Sequence, residues 1–191
     1  MLYSSEQKVT SLIVATSLSE TFLSTIFSVK HDSAGDVIVV DFDDGVHSAL
    51  RQNLISSIPI RIQQTRDWTT RDKSFKELFM PGGLGFDIPT TKLEAWKMAS
   101  LDRYNFWFRP DAYSEYEMVM TLRWNTAYVP IDINHPLPWM LARYSEREVI
   151  GVQCGPIRTR EFYDLIKSGS FPFKKVIMNS ERDTEFLKPH A

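Results

Sequence analysis

The sequence predicts an α/β fold: a single domain with a mostly parallel central sheet flanked by helices. Two observations carry this. Short apolar runs of strand length, Leu12–Ala15, Val37–Val40 and Val149–Gln153, are separated by segments whose apolar residues recur at helical spacing. The runs are continuously apolar rather than alternating, as strands covered on both faces are. Strands that alternate with helices in this way build a parallel sheet through crossover connections.

Each element has a local reason. Leu12–Ala15 reads as the first buried strand, followed by Thr16 and Ser17. Leu18, Phe22, Leu23, Ile26 and Phe27 then form one apolar stripe, so a helix is predicted from about Leu18 to Val29, with Ser17 or Ser19 as its cap. The loop His31–Gly35 turns the chain into a strand from Asp36 to Val40. Val46–Leu54 is predicted helical and Ile58–Gln63 a third strand with alternating apolar residues. The segment from Phe79 to Pro89 carries three glycines and two prolines and reads as an irregular loop. Thr91-Lys92-Leu93-Glu94 fits a capping box and starts a helix to about Leu101. An aromatic strand from Tyr104 to Phe108 stops at Arg109-Pro110-Asp111. Tyr113–Arg123 reads as helix, Thr126–Ile133 as strand, and Thr159–Lys167 as a helix that Gly169 can end. Lys175–Met178 is a last short strand, and Asn179–Ala191 a polar, acidic tail.

Composition narrows the classes. A chain of 191 residues suits one domain with a sizeable core. A net charge of −2 gives no footprint for nucleic acid. The single cysteine, Cys154, allows no internal disulfide and no cysteine-based zinc site, which fits a reducing, cytoplasmic setting. No signal peptide is evident, and no apolar run approaches the roughly 20 residues that span a bilayer. Peripheral membrane contact stays open.

Three strand ends carry charged clusters, and ligands of open α/β sheets bind at the carboxyl ends of strands. The first is Asp41-Phe42-Asp43-Asp44-Gly45. Hard divalent cations take carboxylate oxygens, and Mg²⁺ commonly keeps one or two carboxylates plus substrate phosphates. The plain alternative is a turn, which accounts for Asp44-Gly45 but not for Asp41. The second is Arg109-Pro110-Asp111, where Pro110 stops the strand; its bland reading is a solvated loop. The third is Asp132-Ile133-Asn134-His135, with His135 a candidate metal ligand or general base but more often a structural residue. The acidic run Glu181–Glu185 reads first as a solvated face, and Cys154 lacks the companions of a nucleophile. Gly82-Gly83-Leu84-Gly85 is no phosphate loop, since it neither carries Lys-Ser/Thr nor follows the first strand. It reads instead as a hinge-bearing loop near the site.

These residues together resemble nucleotide-sugar glycosyltransferases of the GT-A fold, most like the inverting family 2 enzymes. SLIVATS, LSETFLSTIFSV and VIVVDFDDG resemble that family's opening strand, helix and second strand. AWKMASLDRYNFWFRPDA resembles the block ending in its Asp-x-Asp motif, with Asp111 on the last Asp. VIGVQCGPIRTREFYDLI followed by SERDTEF resembles the block that carries the catalytic base. The resemblance implies a nucleotide-binding half, residues 1–111, and an acceptor-binding half with tail, residues 112–191. It implies a nucleotide-diphosphate-sugar donor, a glycan, protein or lipid acceptor, and a divalent metal, Mn²⁺ or Mg²⁺. Asp111 would ligate the metal and Asp183 take the proton from the acceptor hydroxyl. Asp41 would hydrogen-bond the base or ribose, with Asp43, Thr16 and Ser17 lining the donor site. Lys92 or Arg109 would supply positive charge near the diphosphate. Arg109 and Arg182 stand where the family's motifs have acids, and the literal Asp-x-Asp, Asp41-Phe42-Asp43, is a rival metal site.

VIVVDFDDGV is also similar to the nucleophile strand of haloacid-dehalogenase-like phosphatases, with Asp41 as nucleophile and Asp43 as acid/base. Gly45-Val46 then departs from that family's Thr two residues after the second Asp, and a full strand–helix unit precedes the motif here. A non-catalytic α/β interaction module is the third reading.

Overall fold

A computed structural model describes residues 9–61, 112–131, 135, 137–157, 159 and 172–187. In chain order the elements are β1 (Ser11–Ala15), α1 (Glu20–Asp32), β2 (Val37–Asp41), α2 (Asp44–Gln52), β3 (Ile58–Pro59), α3 (Ala112–Thr121), β4 (Thr126–Ile131), α4 (Leu137–Tyr144), β5 (Glu148–Gln153), β6 (Lys175–Ile177) and α5 (Glu181–Leu187). The strands form one six-stranded sheet in the order β3-β2-β1-β4-β5-β6, and every pair is parallel. This is the doubly wound arrangement in which strand order reverses between β1 and β4. The α/β architecture and mostly parallel sheet expected from the alternating runs are therefore present. The expected segments between residues 62 and 111, and the helix at 159–167, lie outside the described residues.

The period of two along β1 splits the core. Leu12 and Val14 point to one face, where they join Val119 of α3 and Leu137, Trp139 and Leu141 of α4. Ile13 and Ala15 point to the other, packing with Phe22 and Ile26 of α1 and Leu50 of α2. Right-handed crossovers impose this division, because connections running one way from β1 and the other way from β4 lay their helices on opposite faces. Phe22, Ile26, Leu50 and Trp139 are fully or almost fully buried. Each such side chain contributes roughly 1.5–3 kcal/mol over leaving it in water.

Helix ends follow their residues. The Ser19 hydroxyl accepts the Phe22 amide at 3.1 Å and caps α1, settling which serine does so. The Asp43 carboxylate accepts the Val46 amide at 2.8 Å and caps α2. That helix ends in a Schellman motif: the Ile55 amide reaches Leu50 O at 2.9 Å and the Leu54 amide reaches Arg51 O at 3.0 Å. Leu54 occupies the left-handed position at φ 60°, usually a glycine, and is 92% exposed.

Two helices depart from the sequence reading. The sequence reading left Leu137–Tyr144 unassigned, and α4 forms there with Pro138 in its first turn. No intrahelical amide bond is required of a residue there. The acidic tail forms α5, because the Ser180 hydroxyl accepts the Asp183 amide at 3.2 Å and Glu181 and Asp183 lie at the positive end of the helix dipole.

Candidate functional site

Buried polarity collects at the carboxyl edge of the sheet. Six polar or charged side chains are buried among the described residues. Thr16 follows β1, Asp41 ends β2, His135 follows β4 and Gln153 ends β5. Glu115, in the first turn of α3, pairs with His135, so Ser11 alone lies at the opposite edge. Desolvating polar groups is unfavourable, and placing them together on one edge is what a ligand site requires.

Thr16 sits at the point where strand order reverses, immediately before the capped start of α1. Its Oγ1 is buried and has no hydrogen-bond partner among the described residues. The helix beside it presents first-turn amides that lack intrahelical acceptors, and only that of Phe22 is taken by the Ser19 cap. Ser17 is half-buried in the same loop. Register places Ala15 opposite Asp41, so the strand end bearing Thr16 is one strand spacing from the Asp41 cluster.

Asp41 is fully buried, and its carboxylate is committed within the protein. Oδ1 accepts from Arg61 Nη2 at 2.7 Å; Oδ2 accepts from His47 Nδ1 at 2.7 Å and from the Ser57 hydroxyl. Burial pushes this carboxyl up, but the hydrogen bonds from Ser57, His47 and Arg61, with the Arg61 charge, outweigh it and hold Asp41 below the ordinary carboxylate value. Arg61 is equally committed: Nη1 donates to the backbone oxygens of Asp41 and Ile60, and Nε and Nη2 donate to Asp44 Oδ1. Burial alone would lower the guanidinium value, and the Asp41 and Asp44 carboxylates reverse that. All five Arg61 donors are thereby used, so this arginine clamps β2, β3 and the start of α2 and has no donor left for an anion.

Asp41 and Asp43 do not converge. Asp43 is exposed and caps α2, while Asp41 faces a guanidinium. A divalent cation between them would sit against Arg61, so this Asp-x-Asp does not fit a metal. Among the described residues, no group of three or more His, Cys, Asp or Glu side chains converges. Asp111, Lys92 and Arg109 lie outside the described residues, as do Gly82–Gly85 and Asp132–Asn134.

The remaining edge groups form two further units. His135 Nδ1 accepts the Leu137 amide at 3.2 Å, which leaves the proton on Nε2, 3.5 Å from the buried Glu115 carboxylate. The His135 ring meets Phe42 at 5.9 Å between centroids, bridging the ends of β4 and β2 that β1 separates. At β5, Gln153 Nε2 donates to Asp183 Oδ2 at 2.8 Å and to Gly155 O at 3.0 Å, while its Oε1 accepts the Asn179 amide at 2.9 Å. Gln153 thus holds the start of α5, and Asp183 with it, at the carboxyl edge.

The structure brings Thr16, Ser17, Asp41, Asp43 and Asp183 to one edge of the sheet. Sequence reading did not single out His47, Ser57, Arg61, Glu115 or Gln153. Gln153 had a signal, since a polar residue closing a buried apolar run repeats the pattern of Asp41. Arg61 had none, because its role depends on β3 pairing beside β2.

Among the described residues no helix is long and apolar enough to cross a membrane. No protein-family model matches the sequence, and no curated protein matches it significantly.

Proposed function

We propose that this chain is a glycosyltransferase that holds a nucleoside-diphosphate sugar at the carboxyl edge of its sheet and passes the sugar to an acceptor hydroxyl. The observation that carries the reading is the buried, unpartnered Thr16 hydroxyl at the strand-order reversal, beside the start of α1. A diphosphate oxygen there would accept from Thr16 and from first-turn amides, in the field of the helix dipole. Ser17 extends the same loop. Glu20 adds a carboxylate to that first turn, which favours a diphosphate whose charge is already offset. A bound Mn²⁺ or Mg²⁺ would supply that offset and stabilise the leaving group. Asp111 remains the residue that the resemblance offers as its ligand.

Asp41 takes a different task in this reading. Its carboxylate anchors Arg61 and orients His47, so its influence on the donor passes through His47. The same engagement, with a cation on one oxygen and two donors on the other, weighs against Asp41 as a phosphatase nucleophile. Gln153 holds Asp183, the residue the resemblance offers as proton acceptor, at the same edge.

The test is a thermal-shift titration with UDP, GDP and other nucleotides, each with Mn²⁺, on the wild type and Thr16→Val. A Mn²⁺-dependent shift that Thr16→Val weakens supports the reading. No shift with any nucleotide sinks it.

A further inference from the structure

We infer that His47 is the proton-accepting group of the carboxyl edge, with its reactive nitrogen, Nε2, presented by Asp41. This rests on the glycosyltransferase reading and names a catalytic residue within it. The argument starts from the tautomer. Nδ1 of His47 faces two oxygens, Asp41 Oδ2 at 2.7 Å and Ser57 Oγ at 3.2 Å. The Ser57 proton is already donated to Asp41 Oδ2, so the hydroxyl offers Nδ1 only a lone pair. Asp41 is an ionised carboxylate, held so by Arg61. Both neighbours of Nδ1 are therefore acceptors, and Nδ1 carries the proton. The free lone pair of the neutral ring is on Nε2.

Nε2 has no hydrogen-bond partner among the described residues, and the His47 side chain is 26% exposed. The group that orients the ring is fully buried, while the nitrogen that can take a proton is engaged by no described residue. A carboxylate fixing Nδ1–H while Nε2 serves the substrate is the arrangement of an imidazole general base. Ser57 is not a nucleophile in a triad here, since it meets Nδ1 rather than Nε2. Among the described residues the charged group that contacts His47 is Asp41 from β2, which in turn pairs with Arg61 from beyond β3, itself paired with Asp44 of α2. Arg61 spends its five donors on Asp41, Asp44 and backbone oxygens, so His47 Nε2 is the unspent nitrogen of the cluster among the described residues.

The place is right as well as the chemistry. His47 lies in the first half of α2, whose start is at the carboxyl edge, and Asp41 is in register with Ala15, the neighbour of Thr16. In the transfer step the acceptor O–H bond breaks and its proton passes to Nε2. The oxygen pair forms the new bond to the anomeric carbon, and the bond from that carbon to the diphosphate oxygen breaks with its electrons on the nucleoside diphosphate. Asp41 remains ionised throughout and stabilises the imidazolium. His47 later returns the proton to solvent.

The experiment compares wild type, His47→Asn and Asp183→Asn. The asparagine amide keeps a donor toward Asp41, so the fold is retained, but it cannot accept a proton. Release of UDP or GDP is followed from UDP-glucose, UDP-N-acetylglucosamine and GDP-mannose with Mn²⁺, water serving as acceptor, across pH. General-base catalysis is worth about 10²–10⁴-fold. His47→Asn should therefore lower kcat by about 100-fold or more, leave KM near wild type and abolish the ascending limb of the pH profile. Retention of that limb and of the wild-type rate in His47→Asn, with loss in Asp183→Asn, overturns the assignment. If wild type releases neither nucleotide from any donor, the transferase reading fails instead. Carbethoxylation by diethyl pyrocarbonate then decides His47 separately, with the exposed His31 as internal control. Modification of His47 at Nε2 supports the presented nitrogen, and inertness of His47 while His31 reacts overturns it.

Discussion

Replacing Thr16 by Val separates a ligand-binding hydroxyl from a merely buried one, because the two effects have opposite signs. The Thr16 hydroxyl is buried and unpartnered among the described residues, and leaving such a group unsatisfied costs about 1–3 kcal/mol. Valine fills nearly the same space with a methyl group, so the ligand-free variant should be more stable by about 1–2 kcal/mol. At 2–4 °C per kcal/mol for a chain of this size, Tm rises by about 2–8 °C. The nucleotide response moves the other way. A wild-type protein with ligand at about 100 times its Kd gains about 2.7 kcal/mol. Losing a hydrogen bond to a charged oxygen, about 1.5–3 kcal/mol, weakens binding roughly 10- to 100-fold. At the same ligand concentration the gain then falls to about 0.4–1.4 kcal/mol. Chemical denaturation gives the first number and a Mn²⁺–nucleotide thermal-shift series the second. A ligand-free Thr16→Val protein less stable than wild type by 1 kcal/mol or more refutes the reasoning, since the hydroxyl would then be satisfied.

Other outcomes follow from the same geometry. Asp41→Asn removes the anion opposite Arg61; breaking a buried pair costs about 3–5 kcal/mol, and the partly exposed arginine re-solvates, so about 3 kcal/mol is expected in urea unfolding. Because Asp41 lies below its ordinary value near 3.8 in the folded state, its stabilisation is complete above that pH and is lost as pH falls through the lower folded value. An acid-unfolding curve for Asp41→Asn should lack that component. Leu54→Gly relieves a left-handed leucine that is almost wholly exposed, and should stabilise by about 0.5–1 kcal/mol after the entropy of glycine is counted. A loss of stability would mean that the leucine makes contacts in solution that offset the strain. Gly35→Ala places a Cβ 1.9 Å from the Val9 carbonyl oxygen, backbone against backbone, so a destabilisation of more than about 1 kcal/mol is expected. A neutral result would show that the start of β1 is not held against that turn.

Much of the fold was legible because its signals are local. The run Leu12–Ala15, the stripe Phe22–Ile26 and the run Val37–Val40 each carry their own period, and they specify β1, α1 and β2 to within a few residues. The helix at Leu137 is missing from the sequence reading, and Pro138 fits it because the first turn of a helix accepts proline. The helix at Glu181 was hidden because its charge was read as solvation, although Ser180 and Asp183 carry a capping signal. The site was legible only in outline. Strand-end polarity pointed to Thr16, Ser17 and Asp41, but a carboxylate's partners are set by which strands pair. Arg61 reaches Asp41 across 20 residues of sequence because β3 lies beside β2, and no spacing rule announces that. His47 was missed for the same reason: its meaning comes from the direction of Asp41's lone pairs.

The central claim is that a nucleotide binds where strand order reverses, at Thr16. An amide chemical-shift titration with UDP and GDP in the presence of Mg²⁺ tests it most directly, residue by residue. The expected result is saturable shifts confined to residues 16–22 and to the end of β2, including Asp41 and Phe42, with Leu54 and the opposite edge unmoved. Shifts centred on the amino-edge groove lined by Thr25, Ser28 and Asp32, or no shift at any nucleotide concentration, would contradict it.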